Sequence, residues 1–242
     1  HTKVDKVVSD TDLKATDAIL YLYKNEFDEN FLSRMLSIGT LGLKKNRKLV
    51  PSRWSITSVD DILGKNFINQ IKDFPTANYQ AYFGGYLGNY FLVLFLPEVW
   101  SYELFETYAP NASWNTSGEV QFMTDYEPYR GRKSYAENCV GGYYSNRVVI
   151  AEKLASMKRQ ASVLSLRFIT GEYSVPLGVW CVREATRKAI NSKPIEFASK
   201  ELMLSYAKNL VKEKFNIEVD NILKHSILLK NIKQQSKLTQ FF

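Results

Sequence analysis

The amino-acid sequence predicts an α+β fold, an antiparallel sheet flanked by helices, with a helical hairpin at the N-terminal end and helices again at the C-terminal end. Three observations carry this. The block over 77–121 is dense in aromatic and β-branched residues and is punctuated by Gly84-Gly85, Gly88-Asn89, Pro97 and Pro110, the pattern of short strands between turns. The segments on either side repeat their apolar residues every three or four positions. The length of 242 residues, 45% of them hydrophobic, suffices for a sizeable core in one large domain or two small ones.

Taken in order, Thr16 caps a helix to about residue 24, with Ile19, Leu20, Leu22 and Tyr23 on its apolar side. Asp28 caps a second helix over 29–38 that buries Phe31, Leu32, Met35 and Leu36, and Gly39 ends it. The pair suits a helix-turn-helix, and the basic run Lys44, Lys45, Arg47 and Lys48 follows at once. It reads as a small DNA-binding element with a basic wing, or as an ordinary αα-hairpin with a solvated charge run; the second is the commoner structure. Pro51 forces an extended entry into a loop holding Arg53, Trp54, Ser55 and Thr57, groups of the kind that hold a phosphate or stack on a base. Ser58 then caps a helix to about residue 74, with Asp60 and Asp61 complementing its positive end.

Strands are expected over 79–83, 90–96, 100–108 and 119–123. Residues 124–147 read as irregular, with Arg130, Arg132 and Lys133 interleaved among tyrosines, carboxylates and glycines; long loops of this kind are often functional. A helix over 144–159, strands over 163–168 and 174–177 and a helix over 179–190 come next. Ser199 caps a helix to about residue 214, and Asp220 another to about residue 233. The globular unit is expected over 1–233, with a sub-boundary, if any, near 45–50, and 234–242 as a flexible arm.

A net charge of +7 and a pI near 9.2 favour a polyanionic partner. The aromatic share, 14%, serves core packing and base stacking equally well. Two cysteines, Cys139 and Cys181, exclude a disulfide framework or a four-cysteine zinc site, and they fit a reducing, cytoplasmic setting. With only two histidines, no metal site and no cofactor are expected. The longest apolar run, 90–97, is too short to span a bilayer.

The chain ends Gln235-Ser-Lys-Leu238-Thr-Gln-Phe241-Phe242. Adjacent aromatics on a chain end are an apolar surface in need of a partner. Gln at the first position, an aliphatic residue at the fourth and aromatics at the seventh and eighth resemble the PCNA-interacting peptide, by which replication and repair proteins dock on the sliding clamp. One tight turn brings Leu238, Phe241 and Phe242 to one side as a three-pronged plug, with Gln235 at the rim.

Lys45-Asn-Arg-Lys-Leu-Val-Pro-Ser-Arg-Trp-Ser-Ile-Thr-Ser-Val-Asp-Asp61, Asp12-Leu-Lys-Ala-Thr-Asp-Ala-Ile-Leu-Tyr-Leu-Tyr-Lys24 and the terminal octapeptide together resemble the Nre family of archaeal DNA repair proteins. The resemblance implies a DNA repair role and a clamp-binding tail, and it brings no catalytic mechanism. Family members usually carry a cysteine-rich, zinc-finger-like segment near the N-terminus, which this sequence lacks. The expectation is a C-terminal portion, or a divergent member, without zinc.

The leading reading is therefore a repair factor recruited through PCNA, with a basic surface for nucleic acid drawn from Lys44, Lys45, Arg47, Lys48, Arg53, Trp54, Arg130, Arg132 and Lys133. The alternative is a metal-dependent enzyme acting on DNA or a nucleotide. It would use Asp60, Asp61, Asp125, Glu127 and Glu137 as hard oxygen ligands and the 50–61 and 124–147 loops as its site. A third reading is a scaffold without DNA contact. The first two part on whether these residues converge on one cleft.

Overall fold

The computed structural model of the chain describes residues 2–175 and 177–238. Its elements run α1 (Thr2–Ser9), α2 (Ala15–Lys24), α3 (Glu29–Ser37), a 3₁₀ turn (Lys44–Asn46), α4 (Ser52–Ile71), β1 (Tyr79–Tyr86), β2 (Asn89–Leu96), β3 (Ser101–Tyr108), β4 (Gln121–Glu127), α5 (Val140–Met157), β5 (Ser162–Ile169), α6 (Val179–Ile190), β6 (Ile195–Phe197), α7 (Lys200–Phe215), α8 (Asp220–Leu223) and α9 (Ile227–Leu238). The α+β class is as the sequence predicts.

Among the described residues the strands form one sheet in the order β4-β3-β5-β2-β1-β6. Its pairs are antiparallel except β3 with β5, which run parallel from Ser101 against Ser162 to Tyr108 against Ile169. That exception arises because α5 crosses over between them, and parallel neighbours need such a crossover. Both faces of the sheet are covered. On one, Phe91, Val93, Phe95, Tyr102 and Leu104 pack with Val59 and Leu63 of α4, Val148 and Ile150 of α5 and Val182 of α6. On the other, Leu92, Leu94, Leu164 and Leu166 meet Met203 and Val211 of α7 and Leu228 and Ile232 of α9. Burial from both sides explains why β2 reads as an unbroken apolar run rather than an alternation.

Several expected boundaries move, each for a physical reason. Residues 52–58 are helix rather than loop: α4 starts at Ser52, and Ser58 is not its cap. Packing of Ser55, Thr57, Val59 and Asp60 into the interior outweighs the N-cap signal at Ser58. The irregular stretch shrinks to 128–139, because β4 runs to Glu127 and α5 begins at Val140. Asp125 makes the early start of α5 feasible. From β4 its carboxylate accepts the amides of Asn138 (3.1 Å) and Cys139 (2.8 Å), a cap delivered from outside the helix. Lys14, not Thr16, precedes α2, without a side-chain cap. Asp28 and Ser199 cap as expected, accepting from the amides of Phe31 and Leu202. The expected strand over 174–177 is irregular at Ser174, Val175 and Leu177, and Pro176 lies outside the described residues. The single helix expected over 220–233 is two, broken at 224–226, and the second reaches Leu238. Among the described residues no helix is long and apolar enough to cross a membrane.

Candidate functional site

The first two turns of α4 stand between two cavities. Ser52, Ser55 and Ile56 line one of about 640 Å³ against α3. Arg53, Trp54 and Thr57 line another of about 330 Å³ together with Tyr135 and the opening residues of α5 and α6. Trp54 is 47% exposed and Tyr135 37% exposed, and Tyr135 stacks on Tyr144 with ring centroids 5.2 Å apart. The ring centroids of Trp54 and Tyr135 are 6.1 Å apart, and the Arg53 guanidinium lies 5.5 Å from the Trp54 ring. The rings of Trp54 and Tyr135 are tilted at 53° to each other rather than stacked; exposed aromatics with a cation alongside are groups on which bases can stack. Gly141 lets the helices meet here, since a Cβ on it would stand 2.7 Å from Cγ1 of Val179 and 3.2 Å from Oγ1 of Thr57.

A third cavity of about 270 Å³ adjoins the second, sharing Val140 and Val179. Its floor is the buried ion pair of Arg167 and Glu106, and Arg167 also donates from Nε to Oδ1 of Asn89 at 3.0 Å. Cys139 lines it too. Burial, reinforced by the nearby Glu106 and Asp125 carboxylates, pushes its thiol far up, which keeps it protonated and unreactive.

The two segments singled out in the sequence do meet, through Trp54 and Tyr135, but most of their charged groups are committed to the protein itself. Asp60 is fully buried and accepts from Nη1 of Arg183 (2.6 Å) and from Oγ of Ser145 (2.6 Å); desolvation raises its pKa against the pull of Arg183. Asp61 pairs with Arg147 and Lys65. Glu127 accepts from Arg147 (2.5 Å), Tyr143 (2.8 Å) and Nε1 of Trp100 (3.2 Å). Asp125 pairs with Arg132 at 2.8 Å besides capping α5. Glu137 is exposed. Among the described residues no group of three or more His, Cys, Asp or Glu could hold a metal ion. Of the carboxylates of the metal-enzyme reading, Asp60, Asp61 and Glu127 thus serve as counter-ions to the buried Arg183 and Arg147, and Asp125 to the part-buried Arg132.

Two cations of the sequence-derived basic surface are also occupied. Arg47 donates to the carbonyls of Gly42, Val8 and Asp10, each at 2.7 Å, and clamps the end of α1 to the loop that follows α3. Arg132 donates to Asp125 and to the carbonyls of Tyr126, Ser134 and Tyr135. A guanidinium forked onto carbonyls is a structural clamp with few donors left for a phosphate. Lys44, Lys45, Lys48, Arg53, Arg130 and Lys133 are exposed. Arg130 lines a separate groove beside Tyr129 and α9, so it does not converge with Arg53.

Sequence reasoning missed Arg147, Arg183 and Arg167, the centres of these buried networks. Their one signal was an arginine inside an otherwise apolar stretch, as in Arg147-Val148-Val149-Ile150.

The chain end is carried by α9. Glu103, buried on β3, accepts from Oγ of Ser226 and from the amides of Ile227 (2.9 Å) and Leu228 (3.1 Å), pinning the start of α9 to the sheet. Gln235 and Leu238 fall on the last turn of the helix backbone; Phe241 and Phe242 lie outside the described residues.

Residues 1–115 match the family described as Archaeal Nre, N-terminal, and residues 127–241 that described as Archaeal Nre, C-terminal. The chain is 40% identical over 235 residues to the DNA repair protein NreB of Archaeoglobus fulgidus, covering 96% of this chain and 58% of that protein. It is 39% identical over 213 residues to the DNA repair protein NreA of the same organism, 88% of this chain and 54% of that one. It is 37% identical over 193 residues to the DNA repair protein NreA of Haloferax volcanii, 78% of this chain and 46% of that one. The chain spans about half the length of the curated relatives it matches. No solved structure matches it significantly.

Proposed function

Since the chain belongs to the archaeal Nre family, we propose that it is part of a DNA repair factor that docks on the PCNA sliding clamp through Gln235, Leu238, Phe241 and Phe242. The observation that supports this reading is that the motif begins in the last turn of a helix whose first turn is fastened to the sheet by Glu103. On either a 3₁₀ or an α-helical turn, positions 238, 241 and 242 fall on one side, as a plug for an apolar pocket requires. Lys44, Lys45, Lys48, Arg53 and Trp54 are each exposed, and this reading assigns them to phosphates and bases. A cytoplasmic setting, where clamp and chromosome are found, belongs to the same reading.

A short peptide that orders as it binds has an affinity near micromolar, and the trimeric clamp with DNA adds effective concentration. Deleting residues 235–242 is expected to abolish binding to purified PCNA in titration calorimetry. Phe241→Ala or Phe242→Ala should each cost on the order of 2 kcal/mol, the loss typical of a buried aromatic anchor. Undiminished binding by the truncated chain overturns the assignment.

A further inference from the structure

We propose that the cavity floored by Glu106 and Arg167 and walled by Trp114 and Tyr173 binds a nucleobase by its pairing edge. The sheet brings these residues together. Strands β3 and β5 run parallel with Glu106 opposite Arg167 or nearly so, and both end at the cavity, in Tyr108 and Ile169. The loops that leave them carry Trp114 and Tyr173. The carboxyl ends of parallel strands, where the connecting loops diverge, leave a crevice for ligands.

The floor has bonding capacity that the protein does not use. Glu106 is 4% exposed and Arg167 6% exposed, and both line the cavity. Arg167 donates from Nε and Nη2 to Oδ1 of Asn89 and from Nη1 to Oε1 of Glu106. Three of the five N–H groups of the guanidinium are thereby engaged, and two are left. Oε2 of Glu106 accepts from no described residue. Unlike Oγ1 of the adjacent Thr107, it is not sealed from solvent, so it opens on the cavity that its side chain lines. An acceptor and two donors thus stand together with no net charge. A phosphate would face the Glu106 carboxylate, and an ammonium group the Arg167 guanidinium. A nucleobase suits both, because the pairing edge of each of the four bases sets an N–H donor beside an acceptor. The walls supply the stacking surface. Trp114 and Tyr173 have ring centroids 6.0 Å apart, and Nε1 of Trp114 donates to the Tyr173 carbonyl at 2.6 Å, which ties the two loops to each other. At about 270 Å³ the cavity is at the small end of ligand sites, a size for one ring system rather than a whole nucleotide. The adjoining cavity shares Val140 and Val179 and carries Arg53, so a sugar-phosphate that leaves the base this way meets a cation.

The base pocket rests on the nucleic-acid part of the reading above only for the source of its base. It uses no residue of the clamp-binding tail, so it is tested without the clamp. The probes are fluorescein-labelled single strands of abasic residues, four of them carrying one of the four bases at the centre and a fifth carrying none, followed by anisotropy. At least one base is expected to tighten binding about tenfold over the baseless strand. Trp114→Ala, at an exposed loop position, should reduce that preference to less than threefold, and Trp114→Phe should keep most of it. Glu106→Gln should reduce it likewise; where this variant melts early, Trp114→Ala decides. Adenosine and cytidine titrated alone, read by tryptophan fluorescence, distinguish the sources: saturation assigns the pocket to free nucleosides, and its absence beside a base-dependent strand affinity assigns it to a base presented by a strand. Equal affinity of all five strands, or a preference that survives in both Trp114→Ala and a folded Glu106→Gln, overturns the pocket alone. No binding of any strand at low salt, with no nucleoside bound, overturns the nucleic-acid reading together with it.

Discussion

Arg147 shows what single residues do in this molecule. It sits mid-way along α5 with its side chain almost wholly buried, between Glu127 of β4 and Asp61 of α4. Taking three charges out of water is expensive, and their mutual attraction roughly offsets that expense, so the network adds little net stability while intact. Removing one partner is different, because it strands the others. Arg147→Ala is expected to destabilise the chain by about 3–5 kcal/mol in urea denaturation, whereas an exposed pair such as Lys65 with Asp61 is worth about 1 kcal/mol or less. A loss under 1 kcal/mol on Arg147→Ala means that Glu127 and Asp61 reach water. The sequence held an arginine among valines at this point but no sign of its partners, which come from positions 86 and 20 residues away.

At the scale of elements, the recurrent event is a helix start decided from a distance. Asp125 on β4 caps α5, and Glu103 on β3 caps α9. Neither cap is visible to a reading that looks for Ser, Thr, Asp or Asn one residue ahead of the helix. Glu103→Ala should release the start of α9, at a cost of roughly 1–2 kcal/mol, and speed hydrogen exchange at the amides of Ile227 and Leu228. Unchanged protection there means that packing of Leu228 and Ile232 alone holds the helix. Burial also raises the pKa of Glu103 above 4.5, against the pull of Ser226 and the two amides. A carboxyl shifted upward contributes stability that is full below pH 4.5 and is lost as pH rises through the raised value. Glu103→Gln should therefore flatten the decline in stability on that limb, measured as urea midpoints from about pH 4 to pH 7. An unaltered slope assigns the decline to other groups. The start of α4 is a similar case: Ser58-Val-Asp-Asp looked like a cap with acids behind it, yet Asp60 is buried against Arg183 and Asp61 faces Arg147.

At the scale of the whole molecule, the two segments matched by the Nre family models contribute strands to one sheet. The sheet order β4-β3-β5-β2-β1-β6 sets β5 of the second half between β3 and β2 of the first, and β6 beside β1. Separating the halves exposes both edges of β5 and the cores on either side of it. The globular body is accordingly proposed to unfold in one cooperative transition, and residues 1–115 expressed alone should lack a native near-ultraviolet dichroism spectrum. A folded, monomeric 1–115 would show that the first half completes its own core.

By itself the sequence determined the α+β class, the positions of most helices and strands, the capping roles of Asp28 and Ser199, and the terminal octapeptide. All of these are written in local spacing, and local spacing is what backbone periodicity and capping respond to. Only the tertiary structure decided that Arg47 and Arg132 are clamps and that Asp60, Asp61, Asp125 and Glu127 are counter-ions. It alone brought Trp54 to Tyr135. A charged or polar side chain has no fixed role until its partners are known. In this chain those partners lie on other elements, where burial makes an unpaired group costly and so selects the pairing.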